Sequence, residues 1–149
     1  MKECVFCNIF RRLEEGWILL EEDEIVVFLD KYPASYGHVL VAPREHYRDI
    51  VETPPYLVSR IFIIARGIGF ASMRGLGATG FRIMANTGAS AGQEIYHFHV
   101  HVIPRYDSGS PGPIKPRESL REDLARELLE KYKKSLTDPL VRDMINGEK

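Results

Sequence analysis

The chain has 149 residues, 44% of them hydrophobic, which suffices for one core in one domain of ordinary size and leaves no room for a second large one. Twenty Lys and Arg against twenty-one Asp and Glu give a formal charge of -1, so no basic field covers the molecule and general binding of nucleic acid is not expected. Unbroken apolar runs such as Ile61 to Ala65 fall far short of the ~18 residues of a membrane span, and Met1-Lys2-Glu3-Cys4 does not lead into a secretory segment; a soluble, cytoplasmic protein with no membrane partner is expected.

Val5, Phe6, Ile9, Phe10 and Leu13 have helical spacing, which predicts a short helix from Cys4 to Glu14, ended by Gly16. Trp17 to Leu20, Ile25 to Leu29 and His38 to Val41 are short Ile/Val/Leu runs separated by turn residues and read as successive antiparallel strands. Thr53 is a candidate cap, with Pro54 in the first turn, for a long helix that carries Leu57, Ile61, Ala65, Ile68 and Ser72 on one face and stops at Gly75 and Gly77. Val58, Phe62, Gly69 and Met73 widen that apolar face beyond what a sheet needs, which predicts a homodimer. Phe81 to Ala85 and His97 to Ile103 read as two more strands, completing an α+β meander of about five strands and one long helix. After the loop signal Ser108 to Pro113, Ser119 and Glu122 look like a capping box ahead of Leu120, Leu124, Leu128 and Tyr132, a tail helix packed on the domain. The domain proper is expected over 1–106 and the loop and helical extension over 107–149.

Three of the five histidines stand at 97, 99 and 101, where the period of two in a strand puts them on one face while Phe98, Val100 and Val102 turn to the core. Two chemistries fit. A His-x-His pair could join a hydrolytic zinc site, although no carboxylate or further histidine follows at Pro104-Arg105-Tyr106. Alternatively a neutral imidazole attacks phosphorus, its neighbours neutralise phosphate oxygens, and water clears the labile phosphoramidate. Cys4 and Cys7, the only cysteines, have the spacing of a metal or redox pair.

His97-Phe98-His99-Val100-His101-Val102-Ile103 resembles the signature of the histidine triad (HIT) superfamily of nucleotide hydrolases and transferases. Asp30, Pro33, Gly37 to Val41 and Pro43-Arg44-Glu45-His46 are similar to the first half of that family's core, and Asn86, Gly88 and Gly92-Gln93 to its phosphate loop, so the likeness spans about Cys4 to Tyr106. The resemblance implies that His99 is the transiently nucleotidylylated nucleophile, with His101 and His38 on the α-phosphate and Gln93, Asn86 and Gly92 around the phosphate. It implies that Asp30 accepts from ribose hydroxyls and that Phe6, Ile9 and Phe28 wall the base, although Phe6 and Phe28 also read as plain core. It further implies a structural zinc held by Cys4, Cys7, His46 and His97, no cofactor for the chemistry itself, and a dimer paired through the long helix and a strand. Glu94 stands where well-known eukaryotic members carry Ser or Thr near the leaving group; a carboxylate there disfavours an anionic leaving group.

The leading expectation is therefore an enzyme that releases a purine nucleoside monophosphate such as AMP from a phosphoramidate. A dinucleoside polyphosphate hydrolase is the alternative within the same chemistry. A nucleotide-binding regulator with incidental turnover and a zinc-binding interaction module are the alternatives outside it.

Overall fold

The computed structural model describes residues 4–107 and 118–149, so the loop expected at Ser108 to Pro113 lies outside the described residues. Helix α1 (Val5–Phe10) is followed by strands β1 (Ile18–Glu21), β2 (Ile25–Leu29) and β3 (Val39–Pro43). Helix α2 (Pro55–Gly75), strands β4 (Gly80–Met84) and β5 (Val100–Arg105), and helices α3 (Glu122–Ser135) and α4 (Pro139–Ile145) complete the chain. The five strands form one sheet in the order β1-β2-β3-β5-β4, every neighbouring pair antiparallel.

β2 and β3 are buried along their whole length, because both faces of the sheet are covered. Ile25, Val27, Leu29, Val39, Val41, Val100 and Val102 pack beneath α2, in one core with Ile61, Ile64 and Ile68. Val26, Phe28, Leu40 and Ala42 alternate to the opposite face, where Phe6, Ile9 and Phe10 of α1 cover them. By length and composition α2 would reach across a membrane; instead half of it is buried, against the sheet and the tail helices. Ile145 of α4 sits where a Cβ on Gly67 would stand (2.5 Å), and the Ser135 hydroxyl donates to the Ala71 carbonyl (3.0 Å).

Local signals differ from the sequence expectation at four places. α1 ends at Phe10 rather than Glu14, because Arg12 turns to φ +62° and reaches back to the Phe10 carbonyl and to Glu21. The Thr53 hydroxyl does not cap α2; it donates to the Asp49 carbonyl, and α2 starts with proline at its first position. Ser119 does not cap α3, whose N-cap is Arg121 without a side-chain bond. α4 was not expected, although Asp138 accepting from Leu140 N–H, with Pro139 next to it, is a standard helix start.

A branched side chain at Gly67 should push α4 off α2. Gly67→Val is expected to cost about 2 kcal/mol, lowering the midpoint of thermal unfolding by about 4–8 °C. An unchanged midpoint would contradict the close approach of the two helices.

Candidate functional site

His97, His99 and His101 lie on the α1 side of the sheet, but only His101 is inside a strand; β5 begins at Val100, and 97–99 enter it without ladder pairing. Phe98 turns into the α2 core, with its N–H donating to the Tyr47 carbonyl (2.7 Å). The alternation expected of a strand thus survives in the approach to it, and it divides the three imidazoles between two clusters.

In the first cluster, His97 is fully buried and its Nε2–H donates to the Pro43 carbonyl (2.7 Å). A carbonyl only accepts, so the proton is on Nε2 and the lone pair on Nδ1 is free. That Nδ1 lies 3.4 Å from Cys4 Sγ, 3.7 Å from Cys7 Sγ and 3.2 Å from His46 Nδ1, with Cys7 Sγ also 3.7 Å from His46 Nδ1. Tetrahedral zinc with ordinary bond lengths spaces two nitrogens by about 3.3 Å and a nitrogen and a sulfur by about 3.6 Å. The four residues therefore fit a closed Cys2His2 metal site, and the Pro43 carbonyl supplies the outer bond that fixes a ligating histidine. Burial holds the His97 imidazole neutral, down to about 4, and raises Cys7 to about 11 with help from Cys4, values that belong to the metal-free side chains.

The second cluster carries a chain of three imidazoles. The Ala34 backbone N–H donates to His38 Nδ1 (2.9 Å), which places the His38 proton on Nε2, 3.0 Å from His101 Nδ1. His38 then donates to His101 Nδ1, and the His101 proton is left on Nε2. Asp30 stands beside this pair, its Oδ2 3.4 Å from His38 Nε2 and 4.0 Å from His101 Nδ1. The spacing of Asp30, His38 and His101 would suit a metal, but the Ala34 N–H makes His38 Nε2 a donor and so disqualifies it as a ligand. His99 Nδ1–H donates to the His97 carbonyl (2.7 Å), which leaves a lone pair on Nε2. Burial, reinforced by neighbouring imidazoles, lowers His38 to about 3 and His101 to about 4; burial also lowers His99, so all three are neutral near pH 7.

These imidazoles open into a cleft of about 890 Å³. Phe6, Ile9 and Phe28 line one side; each is less than 8% exposed, so they are core and cleft wall at once, with the Phe6 ring edge-on to His99 at 5.0 Å. Asp30 lines it too, with Oδ1 accepting from Tyr32 N–H (2.8 Å), and burial together with the Glu94 charge raises its carboxyl to about 6. Exposed Glu94 and Gly92 and half-buried Asn86 also line the cleft. The Gln93 amide is engaged in bracing the loop: Oε1 accepts from Gly88 N–H (2.9 Å), and Nε2 donates to the Arg48 and Ile95 carbonyls (2.8 and 3.2 Å). Asn86 Nδ2 donates to the Gly92 carbonyl (3.3 Å). Gly88 and Gly92 both have φ near +90°, a turn that residues with a Cβ rarely adopt. Sequence reasoning missed Ser119 and Leu120, which also line the cleft, and it missed the backbone partners Ala34, Pro43 and the His97 carbonyl, which carry no residue-type signal.

Residues 13–108 match the HIT domain family. An uncharacterized HIT-like protein of Saccharolobus solfataricus is 36% identical over 92% of this chain and 97% of its own length. An adenylylsulfatase of Arabidopsis thaliana is 40% identical over 103 residues, which are 69% of this chain and about half (52%) of that relative's length. Among solved structures, a histidine triad nucleotide-binding protein of Sulfolobus tokodaii superposes with a TM-score of 0.82 at 33% identity, covering 94% of this chain and 95% of the other. A zinc-bound histidine triad family protein of Mycobacterium smegmatis superposes with a TM-score of 0.75 at 31% identity, covering 89% and 94%.

Cobalt(II) loaded into the metal-free protein should give the intense visible bands of a tetrahedral thiolate site at one equivalent per chain, and His46→Ala should weaken or abolish them. A six-coordinate spectrum in the unaltered protein would contradict the closed Cys2His2 geometry.

Proposed function

The chain belongs to the HIT family, and from that premise we propose that it is a nucleotide hydrolase that cleaves nucleoside 5'-phosphoryl bonds through a transient nucleotidyl-histidine on His99. The observation that carries this reading is the lone pair on His99 Nε2, fixed by the 2.7 Å bond from Nδ1–H to the His97 carbonyl and facing the cleft beside His101.

In the first step His99 Nε2 attacks the α-phosphorus, a P–N bond to the ring forms, and the bond to the leaving group breaks with its electron pair. An amine leaving group takes a proton from water in the open cleft. The ring is then cationic with Nδ1–H retained, and the His97 carbonyl, already accepting that proton, stabilises the charge. His101 Nε2–H donates to a phosphoryl oxygen, and its direction is held by His38 at Nδ1. Water then attacks phosphorus and gives up a proton that neutralises the hydroxide left by the first step, the P–Nε2 pair returns to the ring, and the monophosphate leaves. Asp30 accepts from the ribose hydroxyls, and Phe6, Ile9 and Phe28 hold the purine. Asn86 and Gly92 border the phosphates, and Gln93 keeps their loop in shape.

Phosphoramidates are the substrate class proposed first, because Glu94 at the cleft opposes an anionic departing group. A relative named as an adenylylsulfatase supports an adenylyl bond to a small leaving group, and dinucleoside polyphosphates are the second reading. The Cys4, Cys7, His46 and His97 site is proposed to hold structural zinc, as its fit to tetrahedral spacing and the zinc-bound relative support. A homodimer is also proposed, with its basis narrowed. The tail covers part of α2, and the uncovered remainder, half-buried Val58 and Phe62 with Met73, lies on the helix whose Gly69 packs against Phe81 of edge strand β4.

His99→Ala should lower hydrolysis of adenosine phosphoramidate by about a thousandfold or more while nucleotide affinity stays within about tenfold. Turnover near that of the parent protein would reject covalent catalysis by this residue.

The preference for ribose over 2'-deoxyribose should shrink as the pH falls through about 6, where Asp30 gains a proton and its charged acceptor is lost, while His38 and His101 stay neutral. Glu94→Gln removes a charge that holds the Asp30 carboxyl up, so it should move this transition to lower pH. Kinetics with both sugars from pH 5 to 8 check the sign; a preference constant across that range would contradict the assignment.

A further inference from the structure

The C-terminal extension reaches the imidazole chain through a single turn. Residues 30–38 join β2 to β3 and contain Asp30, Ala34 and His38. Within the turn, Asp30 N–H donates to the His38 carbonyl (3.0 Å), His38 N–H to the Ser35 carbonyl (3.2 Å) and Ala34 N–H to His38 Nδ1 (2.9 Å). Three further carbonyls of the turn are held from later in the chain. Leu120 N–H donates to Lys31 (2.8 Å), the Tyr106 hydroxyl to Tyr36 (2.7 Å), and the Tyr132 hydroxyl to Gly37 (2.6 Å).

The last of these bonds bears most directly on the site. The Gly37 carbonyl and the His38 N–H belong to one peptide plane, so the Tyr132 hydroxyl at one edge and Ser35 at the other fix its rotation. Gly37 has φ +91°, and a Cβ there would stand 2.5 Å from Leu76 and 3.2 Å from the Tyr132 oxygen. Tyr132 is itself wholly buried. If that plane rotates, the His38 ring leaves the Ala34 N–H, and His38 no longer directs its Nε2–H to His101.

We propose that Tyr132 is a positioning residue, and the C-terminal extension a working part of the site: its hydroxyl, through the Gly37 carbonyl, holds His38 in the tautomer and orientation that aim His101 at the phosphoryl group. This rests on the hydrolase reading above. It also assigns a catalytic consequence to α3, which lies beyond the 13–108 span of the family match.

The test compares Tyr132→Phe with Ser135→Ala in the full chain. Ser135→Ala removes another buried bond from the same helix, made to α2 rather than to the turn. Tyr132→Phe should lower kcat ten- to hundredfold, on the order of what displacement of a catalytic group costs. Its affinity for AMP should stay within about twofold, and the hydrogen-bonded His38 Nε2–H resonance should shift or be lost. Ser135→Ala should lose thermal stability and keep both kcat and that resonance. Tyr106→Phe, which removes the Tyr106 hydroxyl bond to the adjacent Tyr36 carbonyl, should act in the same direction as Tyr132→Phe and serves if that variant does not fold. Parental kcat with an unchanged His38 resonance in Tyr132→Phe, or equal losses of kcat in Tyr132→Phe and Ser135→Ala, would overturn the proposal. Wild-type protein inert toward nucleoside phosphoramidates and dinucleoside polyphosphates would instead reject the hydrolase reading, and the His38 resonance would still report on the clamp.

Discussion

The hydrogen bond from His99 Nδ1–H to the His97 carbonyl decides which nitrogen of the central imidazole is bare, and with it which atom has the lone pair that the proposed nucleophilic role requires. A neutral histidine carries one ring proton, and a carbonyl two residues earlier takes it out of the cleft. The same residue, His97, faces the cysteines through its own ring. One extended segment therefore ties the metal-type cluster to the cleft imidazoles: the backbone of His97 orients His99, while its side chain is held by Pro43 and surrounded by Cys4, Cys7 and His46. α1 joins the two clusters a second time, since its N-cap is Cys4 and its Phe6 packs edge-on to both His97 and His99.

Backbone groups assign the protons throughout the site. An amide N–H at Ala34 and carbonyls at Pro43 and His97 have fixed polarity, so the tautomers of His38, His97 and His99 follow from them, and that of His101 follows from His38. Burial keeps these rings neutral and thus keeps their lone pairs available. Rigid strands supply the geometry. Val39 lies opposite Val102 in the β3–β5 ladder, which brings His38, just ahead of β3, diagonally beside His101.

Much of this was legible in the sequence, and the reasons differ by element. The fully apolar runs 25–29 and 39–43 sit close to their expected places because strands covered on both faces need no polar alternation. The His-x-His-x-His spacing correctly separated the histidines from Phe98, Val100 and Val102, because alternation belongs to extended backbone whether or not it pairs in a ladder. Helix ends were less legible: Thr53 and Ser119 have the right side chains for caps, but the Thr53 hydroxyl turns back to the Asp49 carbonyl of the preceding turn, and α3 begins at Glu122 with Arg121 as its cap. The partition of the three histidines between two clusters was out of reach of local pattern alone, since it depends on where Pro43, His46 and Ala34 fall in space. Nor did any residue type announce that residues 118–149 touch the site, which they do through backbone carbonyls of the 30–38 turn.

The account stands most directly on where a nucleotide becomes attached. Wild-type protein mixed with adenosine phosphoramidate, denatured in base during turnover and digested, should yield an adenylylated peptide whose modification maps by mass spectrometry to His99, and the same peptide from His99→Ala should be unmodified. Adenylylation at His101 or His38, or rapid turnover with His99 unmodified at every time sampled, would contradict it.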